Sequence, residues 1–245
     1  MTTTTIFFIT STTLILAGLL LFKTKTTATF RTQEIKPAIQ YNTEEAKMFV
    51  KKLSDLGYFK YADPKDIETL QKNMINEYDP TNEMACIWDE KTLTPKDYRY
   101  YICDNETLFE EGGLTGILKD LEPTFNKIGL VWNVTDYYEV WDDNKKWLNQ
   151  TITINGTKYI VFKNFTETGW GQAVQRLVEI LNSELTKQYK EDRVYPVSGG
   201  NDGRIIFLSD EQFNYIDRIY KNPNWKPLRL MEWCKVMDVK YMKID

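Results

Sequence analysis

Histidine is absent from the 245 residues. That absence removes Ser-His-Asp and Cys-His catalysis, histidine-ligated metals and a histidine pH switch. Cysteine is scarce. Cys86, Cys103 and Cys234 lie far apart with no CxxC spacing, whereas a structural zinc needs about four well-spaced ligands. An odd, sparse set is also no disulfide framework, so the three read as buried free thiols. No cluster of Lys and Arg interrupts the acidic balance. The net charge is −4, and residues 1–36 contribute four basic residues (Lys23, Lys25, Arg31, Lys36) against Glu34 alone. The remainder is therefore more acidic than the total, which argues against nucleic-acid binding, since that needs a basic footprint. No cofactor motif is present. A phosphate loop would require GK[ST] before a helix or a GxGxxG opening one.

What is present begins with an apolar run. Ile6 to Phe22 holds seventeen residues without a charge, at the short end of the ~17–25 that span a bilayer. The positive charges follow the run, at Lys23, Lys25, Arg31 and Lys36. The positive-inside rule then predicts a single-pass anchor with the C-terminal body in the cytoplasm. The alternative is a cleaved signal peptide and an exported body. Residues 1–42 are read as anchor and polar tether, and 43–245 as one globular domain.

Within that domain, Asn42 and Glu45 have capping-box spacing ahead of a stripe at Ala46, Phe49, Val50 and Leu53, which Gly57 stops. "DPKD" predicts a second helix capped by Asp63, with Pro64 in its first position and Ile67, Leu70 and Met74 inward. Tyr98–Cys103 reads as a strand. Leu114, Leu118, Leu121, Phe125 and Ile128 form a helical stripe that Pro123 interrupts. Leu130–Trp141 is rich in β-branched and aromatic residues and predicts a strand.

"TITINGTKYIVF" predicts a hairpin. Asn155-Gly156 suits a type I′ turn, which sets Ile152 opposite Tyr159. Gln172–Tyr189 is the strongest helical stretch, its inward stripe running through Val174, Leu177, Val178, Leu181 and Leu185. Gln175, Arg176, Glu179 and Asn182 fall on the other face. Ser209 and Gln212 form a further capping box, with Leu208 and Phe213 at the staple positions. The tail from Leu228 reads as a helix followed by a strand. Helices and hairpins occur in blocks, which predicts an α+β fold: a mostly antiparallel sheet with helices on one face, preceded by the N-terminal transmembrane helix.

Two stretches stand out as candidate sites. "SGGNDG", Ser198–Gly203, lies between two short apolar strands, "RVYPV" and "RIIFL". It reads as a turn whose Asn, Asp and Gly tolerate positive φ. As a recognition loop it presents Asn201, Asp202 and Gly203 to a partner. "TETGWGQ" places Trp170 between two glycines at a helix start. It reads either as a further contact residue or as a tight turn whose tryptophan plugs the core.

The acidic pairs Glu110-Glu111, Asp142-Asp143 and Asp210-Glu211 leave open a metal-independent, carboxylate-based hydrolase of glycosidase type. The reading preferred on the sequence is a membrane-tethered, non-catalytic protein-binding domain, an inhibitor or immunity-type module. Its partner would be a protein, basic where it meets the acidic loop, and not a nucleic acid.

Overall fold

A computed structural model of the chain describes residues 43–243. The expected anchor at 6–22, its tether and the Asn42 cap lie outside the described residues. Among the described residues, no helix is long and apolar enough to cross a membrane. The described residues belong to one compact unit.

The fold is α+β with two small antiparallel sheets, where the sequence predicts a single sheet. Chain order begins with α1 (Thr43–Asp55) and α2 (Ile67–Asn76), then β1 (Tyr100–Ile102), α3 (Asn105–Phe109), α4 (Gly113–Asp120) and α5 (Glu122–Ile128). A meander follows, β2 (Val134–Asp142), β3 (Trp147–Ile154) and β4 (Thr157–Phe165). Then come α6 (Trp170–Lys187), β5 (Arg193–Val197), β6 (Arg204–Leu208), α7 (Asp210–Ile219) and α8 (Leu230–Val236). The sheet orders are β1-β6-β5 and β2-β3-β4, every pairing antiparallel.

Helices do not lie on one face only. The β1-β6-β5 sheet is buried on both faces, which explains why "RVYPV" and "RIIFL" are nearly continuous apolar runs and do not alternate. Tyr100, Tyr195, Val197, Ile206 and Leu208 face a core completed by α1, α2 and α7. Tyr101, Val194, Ile205 and Phe207 face a second core built with α6, α8 and the inner side of the meander. Helix α6 therefore belongs to the core between the two sheets. Its polar face is not solvated as its pattern suggests. Gln175 is fully buried, its amide donating to Met242 O (2.7 Å) and accepting from Met242 N (2.8 Å). Asn182 does the same for Val194 on the free edge of β5, donating over 2.9 Å and accepting over 2.7 Å. These amides supply ladder-like hydrogen bonds to backbone that would otherwise lack them.

Local signals translate well. Asn155 and Gly156 both have positive φ, 50° and 78°, and Ile152 stands opposite Tyr159. The Ser209–Gln212 capping box is formed. The predicted α1 stripe is the buried face of that helix. Pro123 splits the predicted long helix, ending α4 and falling in the first turn of α5, where a missing N–H costs nothing. Helix α2 starts later than "DPKD" predicts, because the Asp63 carboxylate receives Lys127 Nζ at 2.6 Å and caps nothing. After α8 no strand forms among the described residues; Gln172 and Gln175 hold Lys240 and Met242 instead.

Candidate functional site

The loop between β5 and β6 is a built structure. Ser198 has φ 54° and Gly200 φ 62°, and Gly200–Asp202 make one 3-10 turn. Trp233, fully buried, donates Nε1–H to Ser198 O at 2.5 Å. Asn105, the first residue of α3 and also buried, donates to Cys103 O (3.2 Å) and accepts from Gly200 N (3.1 Å). Gly203 is buried against that clamp: a Cβ there would lie 2.4 Å from both the Asn105 side-chain amide and Cys103 O. The clamp holds the base of the loop, while Asn201 and Asp202 stand exposed at its tip. Arg204 Nη1 donates to Asp202 O at 3.1 Å, steadying the tip from below.

Trp170 opens α6 and is 40% exposed. It does not plug the core; the flanking glycines sit there in its place. A Cβ on Gly169 would lie 2.5 Å from Phe109, and one on Gly171 2.3 Å from Val239. Close packing on both sides leaves the tryptophan outside. Among the described residues no hydrogen bond or ring contact joins Trp170 to Asn201 or Asp202. Helix α3 links the two regions, with Asn105 on the loop and Phe109 against Gly169.

A cleft of about 430 Å³ adjoins the loop's clamp, lined by Tyr101, Ile102, Cys103, Leu108, Ile117 and the Thr92–Thr94 segment, among others. Its volume falls in the ~300–1,000 Å³ range of binding clefts. One wall is the edge strand β1. Arg99 O and Cys103 N both bond across to β6, accepting from Phe207 N (3.0 Å) and donating to Gly203 O (2.8 Å). By the antiparallel alternation, the N–H and C=O of Ile102 then turn away from β6. The Ile102 side chain is 44% exposed and Leu93, across the cleft, 66%. Asp104 and Asp120 complete the lining. Asp104 Oδ1 is occupied in part by capping α3, accepting from Thr107 N at 2.7 Å. Burial pushes the Cys103 thiol up to about 12, so at neutral pH this wall presents a neutral group and no thiolate.

The acidic pairs do not gather at a cleft. Glu110, Glu111, Asp143, Asp210 and Glu211 are exposed and Asp142 is half-buried, and none of them lines the four main clefts. Asp210 accepts from Tyr195 OH at 3.0 Å, and Asp142 closes the β2–β3 turn through Asn144 N and Lys145 N. Among the described residues, no three Cys, Asp or Glu side chains are grouped to hold a metal ion.

Ile102, Leu93, Asp104 and Asp120 were not singled out by the sequence. The one available signal was the strand "YRYYIC"; which of its edges is free depends on the partner strand β6, roughly a hundred residues further on. No family model, no curated protein and no solved structure matches the chain.

Proposed function

We propose that this chain is a membrane-tethered, non-catalytic protein-binding domain that captures an extended, basic segment of a partner protein along the free edge of β1. The observation that carries the reading is Ile102. Its backbone groups face away from β6, and its side chain opens onto an apolar cleft with Asp104 and Asp120 in its lining. Exposed edges take up extended peptides by strand addition, with main-chain bonds giving affinity and flanking pockets giving selectivity. The carboxylates, with Asp202 beside Gly203 on the neighbouring loop, favour a basic segment and make association salt-sensitive. An inhibitor or immunity-type module fits this arrangement. The apolar run Ile6–Phe22 supports a tether, and the positive charges after it support a body facing the cytoplasm.

The experiment is selection of random peptides on the full chain in mild detergent. The reading expects enrichment of segments with β-branched or aromatic residues beside Lys or Arg. It also expects their affinity to fall with added salt and to be lost in Ile102→Pro, which deletes the outward donor at an edge position that tolerates proline. Binding that survives Ile102→Pro unchanged would contradict strand addition.

A further inference from the structure

Strand β2 is a second sheet edge with apolar exposure among the described residues. It spans nine residues at the margin of the β2-β3-β4 sheet. Its backbone forms no hydrogen bond, among the described residues, to any segment other than β3 and its own following turn. Of the eleven large apolar side chains exposed among the described residues, four lie on this strand: Val134, Tyr138, Val140 and Trp141. The strand is nonetheless held firmly. Tyr137 OH donates to Glu139 Oε2 (2.5 Å), Gly112 N donates to the same oxygen (3.0 Å), and Phe109 meets Trp141 edge to face at 5.6 Å. The edge carries three carboxylates and a bulge between Val134 and Asp136, devices by which proteins blunt such edges, but no lysine or proline, and its apolar side chains stay exposed beside its free backbone.

We infer that β2 pairs with β2 of a second copy of this chain, antiparallel and centred on Tyr138, joining two meanders into one six-stranded sheet. The occupant follows from the sequence of the strand, Val134-Thr-Asp-Tyr-Tyr-Glu-Val-Trp-Asp142. A two-fold axis at Tyr138 overlaps Asp136–Val140, up to the bulge between Val134 and Asp136. It sets Tyr138 against Tyr138, Asp136 against Val140 and Tyr137 against Glu139. No two like charges stand directly opposite, whereas a register centred on Glu139 would face that carboxylate with itself, which is destabilising. Tyr138, Val140 and their counterparts then form one aromatic and β-branched cluster on the outer face, continuous with Thr151 and Ile160 of the adjoining strands. Each strand still carries Asp136, Glu139 and Asp142, so added salt strengthens this contact by screening their repulsion. The opposite salt response separates it from peptide capture at β1.

The test uses the full chain in mild detergent under mild oxidation. Directly paired residues have Cα atoms ~4.5–5.5 Å apart, within disulfide reach. Tyr138→Cys is expected to give a covalent dimer well above the wild-type background. Asp136→Cys is expected to give none, since in this register the two copies of that residue lie four positions, about 13 Å, out of step. The Asp136→Cys/Val140→Cys double variant is expected to link again. Sedimentation supplies the second readout: dimer for wild type, monomer for Val140→Glu, which sets a second carboxylate against Asp136 of the other copy, with far-ultraviolet circular dichroism unchanged because the Val140 side chain is exposed. A monomeric wild type overturns the inference. So does equal cross-linking at Asp136 and Tyr138, or a dimer that persists in Val140→Glu.

Discussion

Arg99 Nη1 donates to Asp192 Oδ1 across 2.9 Å, with both side chains buried. The guanidinium also donates to Tyr58 O (2.6 Å) and Phe207 O (2.7 Å), and it lies 4.4 Å from the Tyr61 ring centroid. One side chain therefore fastens the α1–α2 connection to the β1-β6-β5 sheet. Removing one partner of a buried pair strands the other, at a typical cost of about 3–5 kcal/mol. Asp192→Ala is expected to fall in that range by urea denaturation, while replacing Arg99 and Asp192 together by Met and Leu is expected to cost far less.

The same pair gives a pH dependence. Burial alone would raise the Asp192 carboxyl, but the Arg99 charge and the Tyr61 hydroxyl outweigh it and hold it below the usual range. A carboxylate depressed in the fold contributes stability that is complete above its unfolded value near ~3.9 and is lost as the pH falls through the folded value. Asp97 acts in the opposite sense, since burial raises it and its protonation on acidification favours the fold. Melting temperatures followed from about pH 6 downward are expected to drop below about pH 4 in the wild type. Asp192→Asn, less stable throughout, is expected to show a shallower decline there.

At the candidate loop, Gly203→Ala drives a methyl into Asn105 and Cys103, and overpacking of this kind costs ~1–3 kcal/mol. Asn201→Gly and Asp202→Gly, at the exposed tip, are expected to leave the melting temperature almost unchanged. If the tip contacts the partner, those two variants weaken binding without loss of stability, a separation that chemical denaturation and titration check together.

Gly156 gives a purely conformational case. Its φ is 78°, and an added Cβ would meet no atom within 4 Å. Gly156→Ala is therefore expected to cost about 1 kcal/mol or somewhat more through the left-handed backbone alone, again measured by denaturation.

Burial raises all three thiols, Cys103 to about 12 and Cys234 to about 11, with Cys86 also pushed up. Thiolate reagents at about pH 8 are expected to react slowly with the folded chain and quickly with all three cysteines once denaturant is added. Fast stoichiometric reaction in the native state would contradict the burial of Cys103 and Cys234.

Which features were legible in the sequence follows from the range of the forces that set them. The Asn155-Gly156 turn and the Ser209–Gln212 box are fixed by neighbours within three residues, and both form as read. Pro123 announced its break because a proline acts on its own turn. Asp63 reads as a cap by the same local logic, but Lys127, sixty-four positions away, takes its carboxylate. Gln175 and Asn182 look like solvent-facing helix positions. Their engagement depends on Met242 and Val194 arriving as backbone in need of partners. The division into two sheets was hidden because β1 joins β6 and not β2. The cleft was hidden with it, since only that pairing leaves the outward edge of Ile102 free, whereas the polar tip at Asn201 and Asp202 could be read directly from "SGGNDG".

Hydrogen exchange at the Ile102 amide tests the central claim most directly. The full chain is compared alone and with a saturating peptide chosen by the selection described above. The account predicts that the Ile102 N–H exchanges quickly when free and becomes strongly protected when the peptide binds, with protection weakened in Asp202→Gly. A peptide that binds tightly while the Ile102 N–H keeps its free exchange rate would contradict capture at the β1 edge.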